Sequence, residues 1–177
     1  MRALVRTIDG ISRFCGALAA VIVGVLVVLM LYDVVLRYAF NAPTSWGNDL
    51  NAFLMGGSFV LSIAYAMATD AHVRVDLLYN ERTRPRIRYF DLLGLSVIVL
   101  PVVVLITWGL WGHLMDGVRT GERTGSGGWN PVVWPFRAVL FAGFLIFSFQ
   151  IIAEIVKRIA WAVGRPIETE TITDHGV

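Results

Sequence analysis

Four long apolar runs, at 14–36, 50–68, 90–112 and 133–155, limit what this chain can fold into more than any other feature. A helix needs about 20 residues, at 1.5 Å each, to cross a hydrocarbon core of roughly 30 Å. All four runs have about that reach. Lipid offers no partner to a backbone amide, so a single spanning segment must be helical. The expected fold is therefore all-α, an integral membrane protein with four transmembrane helices. Composition agrees: 56% of the 177 residues are hydrophobic and 16% are charged, which leaves too little polar surface to clothe a water-soluble domain.

Arg2, Arg6 and Arg13 ahead of the first run resemble the start of a secretory signal. The run exceeds the core of about 7 to 15 residues that such signals carry, and no small-x-small cleavage site follows it at the right distance. It is read as a retained first span. The expected organisation is an N-terminal segment 1–13, a transmembrane domain 14–155 and a C-terminal tail 156–177.

Charge sets the expected topology. Three basic residues precede the first run, one lies in the first loop, five in the second, two in the third and three after the fourth, with Arg137 at the start of the fourth run. The split is eleven against four, and the positive-inside rule then places both termini and the second loop in the cytoplasm, N-in and C-in. Within the second loop, Arg82, Arg84, Arg86 and Arg88 stand where their stems can follow the apolar boundary and their heads can reach lipid phosphates. Each such residue contributes on the order of 1 kcal/mol of attraction to an anionic leaflet. The cluster reads first as a topology signal and second as a lipid-facing site; it is not a nucleic-acid footprint.

Trp46, Trp108, Trp111, Trp129 and Trp134 fall near the other ends of the spans, where amphipathic rings prefer to sit. The third loop, within 117–135, carries five glycines and two prolines and is expected to be irregular. Ser45 is placed to cap the second span, and Asp49 in its first turn suits the helix macrodipole.

The span interiors read as apolar residues, glycine and hydroxyls such as Ser58, Ser62, Ser96 and Thr107. Ionisable groups deep in the bilayer or helices broken at the midplane would mark a solute path. Asp33 and Glu154 lie near span ends, and Arg37 and Arg158 stand four residues on, the spacing of a helical ion pair. Pro101 is expected to kink the third span by removing a backbone donor. In the second span, Ala52, Gly56, Val60, Ala64 and Ala68 recur every four residues as a smooth ridge, open to another span of this chain or to a partner.

No catalytic, metal or cofactor site is expected. Cys15 is the single cysteine, so neither a disulfide nor a thiolate metal site can be built within the chain. A bis-histidine haem needs two imidazoles at one depth, whereas His72 and His113 fall on opposite sides of the expected topology and His175 falls in the tail. HExxH, GxSxG and P-loop strings are absent.

Two strings carry a resemblance: RYAFNAPTSWGNDLNAF from Arg37 to Phe53, and AHVRVDLLY from Ala71 to Tyr79. Their order and separation in a four-span chain resemble the small membrane subunit, the Q-type small permease, of tripartite ATP-independent periplasmic (TRAP) transporters. The likeness runs from about Asp33 to Gln150. The family's pattern maps onto Arg37, Tyr38, Asn41, Pro43, Trp46 and Asp49, and in the second string onto His72 and Asp76. Asp49 stands where glutamate is commoner. A second arrangement for Arg37 pairs it with Asp49 across the short loop.

The resemblance implies a bacterial inner-membrane secondary transporter in three parts. They are this small scaffold subunit, a large M-type permease subunit with the solute and sodium sites, and a periplasmic solute-binding protein. Such systems import organic acids by symport without ATP, and the small subunit is implied to brace the large one. Two other readings remain at this point. One is a membrane anchor subunit of a redox enzyme complex, which would need a cofactor or a quinone pocket. The other is a self-sufficient channel, which would conduct alone.

Overall fold

A computed structural model describes residues 2–69, 93–125 and 128–162. The elements are α1 (Arg2–Ala39), α2 (Gly47–Ala68), α3 (Leu100–Thr120) and α4 (Trp134–Ala162), and a π-helical turn, Gly94–Val99, leads into α3. Four stretches are long and apolar enough to cross a membrane: Leu4–Ala39, Gly47–Ala68, Gly94–Thr120 and Trp134–Ala160. Among the described residues every regular element is helical, as the sequence predicts.

The helices lie side by side in the order α1, α2, α4, α3; among the described residues α1 and α3 do not touch. The two flanking helices bury only a narrow stripe. On α1 it runs through Val5, Asp9, Ser12, Cys15, Ala19, Ile22, Leu26, Leu29, Asp33 and Leu36, and on α3 through Leu100, Val103, Thr107, Leu110, Leu114 and Gly117. Steps of three and four average near 3.5 residues, the spacing that lets a thin seam follow a neighbouring helix. The rest of each circumference is exposed apolar surface, including Val21, Val28 and Leu31 on α1 and Val97, Ile98 and Leu105 on α3. In lipid that exposure carries no penalty.

The smooth ridge of α2 meets α4 within this chain. A Cβ on Gly56 would stand 2.8 Å from the Phe136 ring, and one on Gly57 would stand 3.6 Å from Val139. Phe136 also stacks on Phe53 with centroids 4.8 Å apart. Deeper in, Val60 sits against Gly143. Ala64 and Met67 then join Val103, Phe147 and Ile151 in the core where α2, α3 and α4 converge. Of the expected ridge, Ala52 is exposed and Ala68 half-buried, so contact is made by its central members. On the other face of α2, Gly16 of α1 receives the Tyr65 ring with no room for a Cβ, beside the cluster of Cys15, Ala19 and Leu61.

Pro101 has no N–H, and its ring crowds the preceding turn. The chain answers with the wide turn Gly94–Val99, where the Leu100 N–H reaches back five residues to the Leu95 carbonyl. A π-turn at the proline stands in place of a break. The span hydroxyls mostly bond their own helix, as Ser58 does to the Met55 carbonyl and Ser62 to that of Phe59. Thr107 also meets Ser148 of α4 at 3.3 Å.

Three differences from the sequence reading have physical causes. First, α1 starts at Arg2, so the helix extends back through 2–13, with Val5, Asp9 and Ser12 buried. Second, the span interiors are less uniform than expected. Gln150 of α4 is fully buried, bonded to Ser12 and Asp9. Third, α3 outruns its apolar run by two turns, to Thr120. Arg137 near the start of α4 lies beside His113, so the added turns project past the end of α4. Trp111 and Trp108 then lie two and five residues back from that level, about 3 and 7.5 Å along the axis.

Candidate functional site

The residues of the first string gather at the end of the layer that holds the α1–α2 turn and the α3–α4 connection. Asp33, in the last turns of α1, organises the first of these. Its Oδ1 accepts bonds from both the Thr44 N–H and the Thr44 hydroxyl, and its Oδ2 accepts from Arg37 Nη2 at 2.8 Å. The ion pair between Asp33 and Arg37 is thus the local helical one that their spacing predicts. Asn41 turns the chain with φ +52, a left-handed conformation that asparagine tolerates better than most residues, and the Ala42 N–H closes onto the Leu36 carbonyl. Gly47 opens α2 where a Cβ would stand 2.5 Å from Thr44 Oγ1 and 3.2 Å from Asp33 Oδ1. Trp46 stacks on Tyr32 of α1, with centroids 6.4 Å apart.

Two expectations are corrected here. Arg37 reaches Asp33, and Asp49 faces another way: its buried carboxylate accepts a bond from Thr124 Oγ1 at 3.2 Å. The four-residue helical spacing already places an acid beneath Arg37, so no loop crossing is needed. Ser45 does not cap α2 either. Trp46 holds the N-cap position, without a side-chain bond, and Asp49 in the first turn supplies the negative charge that the helix end favours.

The α3–α4 connection is ordered where it is described. Gly121 ends α3 in the left-handed conformation, with its N–H on the Gly117 carbonyl. The Thr124 N–H then bonds the Pro131 carbonyl, and the Val133 N–H bonds that of Glu122. Asn130, at φ +45, receives the Gly125 N–H on Oδ1 at 2.8 Å, while its carbonyl takes Arg123 Nη1. This short hairpin lies against the first turn: Gly128 packs on Ser45, and Thr124 holds Asp49.

Arg137 fastens the hairpin to both helices. Its Nη1 donates to the His113 carbonyl at 2.9 Å, its Nη2 pairs with Glu122 at 2.7 Å, and it lies across Gly117, where a Cβ would stand 3.0 Å away. Hydrogen bonds to charged groups contribute about 1.5–3 kcal/mol each. Arg137→Ala should therefore loosen the α3–α4 hairpin and lower the melting temperature of the detergent-solubilised protein, whereas Arg137→Lys, which keeps the charge on a single donor nitrogen, should lose less. Equal melting of both variants and the parent would remove this role.

The remaining string residues divide clearly. Tyr38, Asn41 and Pro43 are exposed on the turn, and half of the Arg37 side chain faces outward. His72, Asp76, Arg82, Arg84, Arg86 and Arg88 lie outside the described residues. Among the described residues no group of three or more His, Cys, Asp or Glu side chains could hold a metal ion. The site consists of three connected pieces of backbone tied by Asp33, Asp49 and Arg137. The ties themselves, Thr44, Thr124, Glu122 and Arg137, were not among the residues expected from sequence. Only the position of Arg137 at the start of a span hinted at a role.

Residues 26–160 match the family described as Tripartite ATP-independent periplasmic transporters, DctQ component. The chain belongs to this family. The match takes in the whole turn-end site, from Asp33 to Arg137, as well as α3 and the part of α1 from Leu26 on. No curated protein and no solved structure matches the chain. This DctQ chain is accordingly the small subunit of a TRAP transporter and a multi-pass membrane protein, and the resemblance carried by the two strings holds.

Proposed function

We propose that the protein braces the large M-type permease of a TRAP system in a bacterial inner membrane, while that partner carries an organic acid inward on an ion gradient. The match over residues 26–160 carries this reading. The architecture supports it in a second way. The described spans hold no helix broken at mid-depth; the one irregular turn, Gly94–Val99, keeps its backbone bonded. A small-residue interface between α2 and α4 gives a stiff centre, and the outer faces of α1 and α3 are free for lipid or a large partner. In the proposed orientation both termini and the α2–α3 connection are cytoplasmic. The turn-end site then faces the periplasm, where a solute-binding protein would deliver its cargo. His72 and Asp76 would belong to the cytoplasmic side, beside the lipid-facing Arg82, Arg84, Arg86 and Arg88.

The test is reconstitution. Vesicles holding this chain with the large subunit and the binding protein should accumulate solute when an ion gradient is imposed. Omitting this chain should abolish that uptake, and the chain alone should carry nothing. Transport by the chain alone, or full transport without it, would overturn the bracing role.

A further inference from the structure

The other end of the layer holds a polar network that the family reading does not require. Asp9 of α1 is buried, and its Oδ1 accepts two bonds at 2.8 Å, from Gln150 Nε2 and from Lys157 Nζ, both on α4. Ser12, one turn on and fully buried, donates to Gln150 Oε1 at 2.8 Å. Lys157 also lies 3.7 Å from Glu154, which in turn pairs with Arg158 at 3.3 Å. Among the described residues two acids, Asp9 and Glu154, and two bases, Lys157 and Arg158, meet in this cluster. The carboxylate that binds α1 to α4 is nonetheless badly provided for: both donors crowd Oδ1, and the buried Oδ2 has no hydrogen-bond partner.

We infer that this network is an orienting clamp, which fixes the rotation and depth of α1 against α4. The packing of α1 and two general properties of helices in lipid lead there. Beyond its N-terminal turns α1 lies mainly along α2, with Cys15 and Ala19 against Leu61 and the Tyr65 ring on Gly16. In lipid there is no hydrophobic drive between helices, so a polar contact adds an orientation that apolar packing specifies less sharply. A buried ion pair adds little net stability, since desolvation offsets the attraction, but removing one partner leaves the other charge stranded. Incomplete satisfaction of Asp9 fits an element kept for direction rather than for strength. The clamp thus sets which face of α1 looks outward.

The network can also run in reverse. A glutamine amide offers an acceptor and donors from one group, and a serine hydroxyl either gives or takes. If Asp9 and Lys157 exchange places, Gln150 can turn its amide, present Oε1 to the new lysine and donate to Ser12. This freedom makes a charge exchange a fair test.

Cys15 supplies the readout: it is the sole cysteine, it is buried, and it lies one turn beyond Ser12 on the same seam. The full-length chain, in native membranes, is treated with N-ethylmaleimide. Asp9→Asn and Lys157→Met should each label Cys15 roughly tenfold faster than the parent, as local opening of the seam requires. The exchange D9K with K157D should return labelling close to the parent rate. Should a single variant fail to accumulate, accumulation of the exchange variant with a protected Cys15 supports the clamp. Parental labelling of both single variants, or an exchange variant no better protected or no more abundant than they are, overturns it.

Discussion

Gly143→Val is expected to remove most of the folded protein from the membrane. An ideal Cβ at Gly143 would fall inside the Val60 Cγ1 methyl and 3.3 Å from the Val60 carbonyl oxygen. Valine is nearly fixed at χ1 in a helix, so the methyl cannot swing aside, and backbone stands behind it. The helices must separate instead, and this pair lies between the stack of Phe53 on Phe136 and the core of Ala64, Met67, Phe147 and Ile151. Overpacking of this kind costs about 1–3 kcal/mol, and separation forfeits close packing that lipid does not repay. Gly109→Val on α3, where nothing lies within 4 Å, is the control and should accumulate normally. Gly143→Ala should fall between the two and recover in part when Val60→Ala removes the offending methyl. Normal accumulation and melting of Gly143→Val would show that α2 and α4 are not packed as described.

That contact shows what sequence could and could not reveal. Span number and helical character follow from the length of apolar runs, because lipid leaves the backbone no alternative. The ridge through Gly56, Val60 and Ala64 was visible as a four-residue repeat, yet its partner was not, since smooth faces on α4 and on a foreign helix look the same in one sequence. Gly143 became meaningful only once Val60 stood opposite it. The burial of Asp9 in α1 was not legible for a related reason: its partners Gln150 and Lys157 lie far along the chain.

At the turn end the strings located the right region and misassigned part of its wiring. Asn41 stands where a left-handed residue is needed and Asp49 where a helix start favours an acid, so both have local causes that sequence can express. The bond from Thr124 to Asp49, and the hold of Arg137 on the His113 carbonyl, depend on how the α3–α4 hairpin folds back, which no local pattern encodes. The proposed pair of Arg37 with Asp49 failed because a nearer acid, Asp33, was available on the same helix face.

The second large effect is predicted at Asp33, which the two strings leave out. Asp33→Ala should impair uptake by the reconstituted system far more than Arg37→Ala, although Arg37 belongs to the family's string. The carboxylate holds three donors at once: the Arg37 guanidinium, the Thr44 hydroxyl and the Thr44 N–H. Its loss frees the α1–α2 turn and the start of α2, which Gly47 brings against it. Arg37, by contrast, is half exposed and forms a pair within one helix, and pairs of that kind add little. Asp33→Asn should be intermediate, because the amide oxygen can still serve Thr44 while its nitrogen cannot accept from Arg37. Thr44→Ala should resemble Asp33→Asn. Uptake and limited proteolysis of the turn are the measurements, made at matched amounts of membrane-inserted protein. If Arg37→Ala proves the more damaging, the guanidinium acts on something beyond this turn, and Asp33 is merely its support.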